Sequence, residues 1–240
     1  ECCAIDGAHL PGHPTVDELL APGVAWRPLV PESPLAGDSR NLLAAAPEAG
    51  PVTHLRLSIF PDGGVARLRV HGEPAPDWTA LAGRGEIDLA AAELGGRIVA
   101  ASDAFFSRPE HLLLPGPSRG MHDGWETRRR RGPGNDWVVV ALARPGRPRR
   151  IEVDTSHFKG NAPGSCSLEA CVPGEWNGEA TPWRPLVARA PLQPHARHEL
   201  PVGGGRGESE SGGEPVSHVR LSIYPDGGVA RLRVWARLEP

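Results

Sequence analysis

The chain has 240 residues, 39% of them apolar, and a formal charge of −3 at pH 7. That length allows one large domain or two ordinary ones, and the longest apolar run, residues 137–143, is far short of the ~20 residues a membrane-spanning helix needs. A charge so close to neutral gives no general pull toward polyanions, which excludes a non-specific nucleic-acid binder. Cys2, Cys3, Cys166 and Cys171 lack zinc-site spacing, and a chain of this size does not need disulfide staples, so the expectation is reduced thiols in a cytoplasmic protein.

Taken along the chain, the signal is mainly strand. A short helical pattern at 17–20 comes first. Residues 55–59 then alternate, with Leu55, Leu57 and Ile59 on one side and Arg56 and Ser58 on the other, the period of a strand. The tight turn Pro61-Asp-Gly-Gly64 follows, and a return strand at 65–70 puts Ala66, Leu68 and Val70 opposite Arg67 and Arg69. This reads as a hairpin with an apolar face and an arginine face. A short helix is predicted at 88–94 and strands at 97–101, 137–142, 150–154 and 166–171. Residues 201–214 have linker composition. The hairpin pattern then recurs at 221–223, 225–228 and 229–234.

That recurrence is a true internal repeat. Residues 54–70, HLRLSIFPDGGVARLRV, and 218–234, HVRLSIYPDGGVARLRV, agree at 15 of 17 positions with an offset of 164. An upstream echo, Trp26-Arg-Pro-Leu-Val30 against Trp183-Arg-Pro-Leu-Val187, has an offset of 157. A period this long marks a duplicated domain rather than a solenoid. The expected division is 1–72 as the C-terminal remnant of a first copy and 73–240 as a complete second copy. The register places the start of an equal first copy about 87 residues before Glu1. Short strands separated by Gly and Pro turns predict an all-β, β-sandwich fold for each copy.

Chemistry-bearing residues concentrate in three stretches: 123–137, with Trp125, Glu126 and the run Arg128 to Arg131; 153–161, with Asp154 and His157; and the second hairpin, with Arg220, Asp226, Arg231 and Arg233. Arginines beside a carboxylate and flanked by indoles suit a small planar anion, because the guanidinium fork matches a carboxylate in bidentate fashion. Asp62 and Asp226, each before Gly-Gly, read as turn formers. No nucleophile elbow, P-loop, dinucleotide fingerprint or HExxH motif is present. Asp154 and His157, with Asp103 or Glu126, form the one weak grouping for a metal, which leaves metal and cofactor requirements open.

The stretches GGRIVAASDAFFSRPEHLLLPG at 95–116, DGWETRRRRGPGNDW at 123–137 and VDTSHFKGNAPGSCSLEAC at 153–171, together with the doubled RLSI(F/Y)PDGGVARLRV, resemble the allantoicase (allantoate amidinohydrolase) family. The resemblance implies a pair of jelly-roll sandwiches of the galactose-binding-like type. It also implies a hydrolase that converts allantoate to ureidoglycolate and urea in the allantoin branch of purine breakdown, working as a homo-oligomer. Allantoate carries a carboxylate and two ureido groups on one carbon, so it needs a cationic clamp and a proton donor for the departing urea. Arg128 with Arg231 or Arg220 is expected to hold the carboxylate and Trp125 to exclude solvent; Glu126, Asp154 or His157 activates water or protonates the leaving nitrogen. Asn135 stands before Asp-Trp where the family pattern has His, so that position is given no acid–base role. Two competing readings are a sandwich module that binds without chemistry and an inactive fragment of the enzyme.

Overall fold

The computed structural model describes residues 1–4, 15–46, 50–83, 85–203 and 214–237. They fall into two compact units, Glu1–Gly72 and Glu73–Pro240. Most of the linker-like stretch 201–214 lies outside the described residues.

The first unit has little regular structure. Strand β1 (Cys2–Cys3) precedes a single helical turn, α1 (Val16–Leu19), which starts in a capping box: the Glu18 carboxylate accepts the Thr15 N–H at 2.7 Å while Thr15 Oγ1 accepts the Glu18 N–H at 3.3 Å. β1 pairs antiparallel with β2 (His54–Leu55), Cys3 opposite His54. The predicted strands at 55–59 and 65–70 are not formed beyond Leu55.

The second unit is an all-β, two-sheet sandwich. After the short helix α2 (Trp78–Ala82) come β3 (Glu86–Asp88), β4 (Arg97–Ala101), β5 (Trp125–Glu126), β6 (Asp136–Asp154), β7 (Ser165–Cys171), β8 (Arg184–Pro191), β9 (Arg197–Pro201), β10 (Val216–Tyr224), β11 (Gly228–Val229) and β12 (Arg231–Arg237). The predicted helix at 88–94 reduces to a 3-10 turn, Ala92–Leu94, behind strand β3.

β6 belongs to both sheets. Its first half pairs with β4 and β10, and its second half with β9 and β12. One sheet runs β4-β6-β10-β7-β8 and the other β3-β12-β6-β9. The two strands expected at 137–142 and 150–154 are therefore one strand. Pro145, Gly146 and Pro148 mark the corner where it changes sheet. A Cβ on Gly146 would meet Leu89 Cδ1 at 2.4 Å, so a larger residue at this corner makes the buried Leu89 side chain shift. Val138, Val140, Leu221 and Ile223 from one sheet meet Ile151, Val153, Leu232 and Val234 from the other in one core, all wholly buried. Each such side chain contributes roughly 1.5–3 kcal/mol over its exposed state.

The second copy of the repeated segment is not a hairpin. β10 and β12 both pair with β6, but in different sheets, so the turn at 225–228 is a crossing from one layer to the other. Leu232 and Val234 point into the core and Arg231 and Arg233 away from it. The turn itself repeats between units: Phe60–Pro61 and Tyr224–Pro225 are both cis, and Gly63 and Gly227 have φ of 141° and 134°.

Candidate active site

The sheet crossing carries the site. Strand β5 lies against β11, with Glu126 opposite Gly228, and the chain beyond it stays fastened to the crossing turn. Thr127 N–H donates to the Gly227 carbonyl at 3.1 Å, the Gly227 N–H returns to Thr127 Oγ1 at 3.1 Å, Arg130 N–H donates to Asp226 Oδ2 at 2.8 Å, and Asp136 N–H donates to the Pro225 carbonyl at 3.1 Å. The arginine run is thus a loop clipped to a rigid corner at both ends.

A hollow of about 290 Å³ opens along this loop, lined by Ser102, Asp103, residues 128–132 and Asp136. Two arginine–carboxylate pairs stand in its wall. Arg128 Nε donates to Asp103 Oδ2 at 3.2 Å, and its guanidinium lies 4.6 Å from the centre of the Phe105 ring. Arg130 Nη2 donates to Asp136 Oδ1 at 2.5 Å, and the same oxygen accepts Ser102 Oγ–H at 3.0 Å. Burial works to raise the pKa of Asp103. The backbone N–H groups of Arg128 and Phe105 and the Arg128 guanidinium outweigh it and hold the carboxyl below its ordinary range. The hollow therefore keeps an ionised acceptor beside the Arg128 guanidinium.

The sequence-predicted site residues scatter. Arg128 lines the hollow. Trp125 is buried, Glu126 half-buried, Thr127 buried and Arg128 exposed, so in this extended segment Glu126 and Arg128 share a side. Asn161 Nδ2 donates to Glu126 Oε1 at 2.6 Å and orients it.

Trp125 corrects the expectation of a solvent-excluding wall: it is wholly buried in the core, its Nε1 donating to the Asp103 carbonyl at 2.8 Å. Arg231 is also interior. Its side chain is 4% exposed and is consumed by the carbonyls of His111 and Gly116 at 3.1 Å and by Asp123 Oδ2 at 2.9 Å. It ties the 108–123 loops to β12. Arg220 sits elsewhere, salt-bridged to Glu169 and 4.9 Å from the Trp183 ring. The first unit repeats this arrangement, with Arg56 bonded to Glu1 and 4.7 Å from the Trp26 ring. The triad is thus made once in each unit, and Arg220 is not among the residues lining the hollow.

Asp154 lines a second hollow of about 240 Å³ with Glu152, Arg197, Arg231 and Arg233; its Oδ1 accepts the Ser156 N–H at 2.7 Å. His157 has φ of 72°, and its Nε2–H donates to the Ser118 carbonyl at 2.9 Å. The two hollows share no lining residue. Among the described residues no three His, Cys, Asp or Glu side chains converge to hold a metal ion, so the grouping of Asp154 and His157 with Asp103 or Glu126 is not assembled. The thiols are no better placed as nucleophiles: all four are buried, and burial pushes Cys166 up to about 12.

Sequence reasoning passed over Ser102, and it gave Arg130, Asp136 and Asp226 no role in the site although they lie in the stretches it singled out. Asp226 looks like an ordinary turn former, and only the pairing of β5 with β11 puts it beneath the arginine loop.

Fold and site together define a β-sandwich protein with a small cationic, hydrogen-bonding hollow set in loops at a sheet crossing. The chain matches the sequence model of the allantoicase repeat over residues 1–75 and 87–239, and it belongs to the allantoicase family. It is 45% identical over 242 residues to a probable allantoicase of Burkholderia mallei, covering 98% of this chain and 68% of that protein. To a probable allantoicase of Stutzerimonas stutzeri it is 47% identical over 218 residues, covering 89% of this chain and 64% of that one. The crystal structure of allantoicase from Saccharomyces cerevisiae superposes with a TM-score of 0.54 at 38% identity, over 63% of this chain and 43% of the yeast chain. The chain thus spans about two thirds of the length of these curated relatives and less than half of the solved structure.

Proposed function

We propose that this protein hydrolyses allantoate to ureidoglycolate and urea, with the arginine-lined hollow as its active site. The observation that carries the reading is the hollow itself: four consecutive arginines, two carboxylates and a hydroxyl around a volume suited to a molecule of a dozen heavy atoms. Arg128, mounted on Asp103 and Phe105, takes the substrate carboxylate, and the exposed Arg129 and Arg131 steer it in. The bond from the central carbon to one ureido nitrogen breaks and a bond to the oxygen of water forms. Glu126, outside the lining of the hollow but on the same side of the segment as Arg128, accepts the proton from water and delivers it to the departing nitrogen, so that urea leaves neutral. The division of the chain into two copies of one repeat, and assembly with further copies of itself, belong to the same reading. Buried free thiols support a reducing, cytoplasmic setting.

The test is urea release from allantoate by the 240-residue chain. Arg128→Met raises KM by about 10- to 100-fold, the loss of one charge-assisted contact, and Glu126→Gln lowers kcat by about 10²- to 10⁴-fold. Near-normal turnover in both variants would remove this hollow from the reaction.

A further inference from the structure

Arg130 is held differently from its neighbours. Its backbone N–H is fastened to Asp226 and its Nη2 to Asp136, whose side chain is only 3% exposed, yet its Nε is buried without a hydrogen-bond partner among the described residues. A buried N–H left unpaired is a standing cost, and the guanidinium that carries it is 31% exposed in the wall of the hollow, where an arriving acceptor meets its remaining donors. Beside that donor stands the Asp136 carboxylate, itself steadied by Ser102 Oγ–H, which accepts hydrogen bonds only. A ureido group presents the matching set, a carbonyl oxygen that accepts and flanking N–H groups that donate.

We infer that the Arg130–Asp136 pair is a ureido-recognition subsite, that it sets the preference of the hollow for ureido acids over plain carboxylic acids, and that Asp226 is its positioning residue. The inference rests on reading the hollow as a ureido-acid site, and it is separable from hydrolysis. Arg130 supplies N–H donors to the ureido oxygen and Asp136 accepts from the ureido nitrogen. Arg128 meets the carboxylate, so the two arginine–carboxylate pairs divide one ligand between them. A site built to hydrogen-bond a group rejects the analogue that lacks it more strongly than an apolar pocket rejects a change of size.

The experiment compares two probes in direct binding titrations of the full chain: N-carbamoylglycine, with one carboxylate and one ureido group, and pentanoate, a plain carboxylic acid of the same chain length in which carbon and hydrogen replace the whole ureido group. The wild-type protein binds N-carbamoylglycine at least ~10-fold more tightly. Arg130→Met binds both with equal, weak affinity, whereas Arg128→Met weakens both and keeps the ratio. Asp226→Ala removes the acceptor of the Arg130 N–H, takes no side chain out of the hollow and still narrows the ratio, which serves as the second test should Arg130→Met fail to fold. Equal binding of the two probes by the wild type, or a ratio that survives in Arg130→Met, overturns the inference. A preserved ratio without urea release from allantoate would instead sink the hydrolytic reading and leave the subsite standing.

Discussion

Leu57 and Leu221 hold the same place in the repeated segment, yet Leu57 is 50% exposed and Leu221 is wholly buried. Leu221 lies in β10 between β6 and β7. The matching stretch of the first unit pairs only with β1, and only as far as Leu55, among the described residues. Leu68 and Val70 are likewise 59% and 57% exposed while Leu232 and Val234 are wholly buried. One amphipathic pattern thus has two outcomes, set by whether partner strands cover it.

Leu221→Ala is accordingly expected to cost about 2–5 kcal/mol of unfolding free energy, and Leu57→Ala no more than about 0.5 kcal/mol. Urea unfolding followed by tryptophan fluorescence measures both. Equal losses would mean that the Leu57 face is covered in solution.

Arg231 is a structural residue, so its replacement should act on folding before it acts on ligand binding. Arg231→Met strips the His111, Gly116 and Asp123 carbonyls of their donor and takes the guanidinium from the partly buried Asp123 carboxylate, a loss on the order of 2–4 kcal/mol. Arg231→Lys rescues little, because one ammonium cannot span acceptors arranged for a planar fork. A melting temperature unchanged in Arg231→Met would return this side chain to the list of ligand-binding groups.

Phe158 is wholly buried against backbone at two glycines. A Cβ on Gly228 would stand 2.0 Å from its ring, and one on Gly124 would stand 2.9 Å from Cε2 and 2.8 Å from the Val229 carbonyl. Gly228→Ala therefore displaces Phe158 and with it the 157–161 loop that orients Glu126 through Asn161. The expected result is a stability loss of about 1–3 kcal/mol, with urea release falling further than stability alone explains. The paired variant Gly228→Ala/Phe158→Leu, which makes room for the methyl, should recover part of both.

Much of the sandwich was legible because its strands alternate: the stretches at 97–101 and 166–171 appear as β4 and β7 with at most one residue of difference. The length of β6 was not, since Pro145 and Pro148 look like breakers in a linear reading and become a corner only when two sheets share the strand. β8 and β9 were missed, their Pro and Arg content obscuring the alternation. Within the site, the density of arginine at 128–131 was visible, but burial was not. Arg231 and Arg128 carry the same guanidinium, and only the loops packed on β12 turn the first into a fastening. Asp103, Asp136 and Asp226 converge on that arginine loop from three segments, which no local spacing encodes.

Asp88 gives the second unit a pH dependence of unusual sign. Its carboxylate accepts the N–H groups of Val234 at 2.8 Å and Ala90 at 3.0 Å and lies 3.6 Å from Arg233. Burial nonetheless dominates and pushes its pKa up to about 6, from 3.8. The folded state then holds a proton that the unfolded chain releases at lower pH, so folding is most favoured below pH 4 as far as this group is concerned. Its contribution falls as pH rises from about 4 to 6, by an amount on the order of 3 kcal/mol. Asp88→Asn keeps an acceptor for Val234 and Ala90 and cannot ionise, so it should stabilise the protein relative to wild type at pH 7 and lose that advantage near pH 4. Unfolding midpoints in urea at pH 4, 5, 6 and 7 for the two proteins test this. A difference between them that does not change with pH would show that Arg233 and the two backbone donors hold Asp88 ionised throughout.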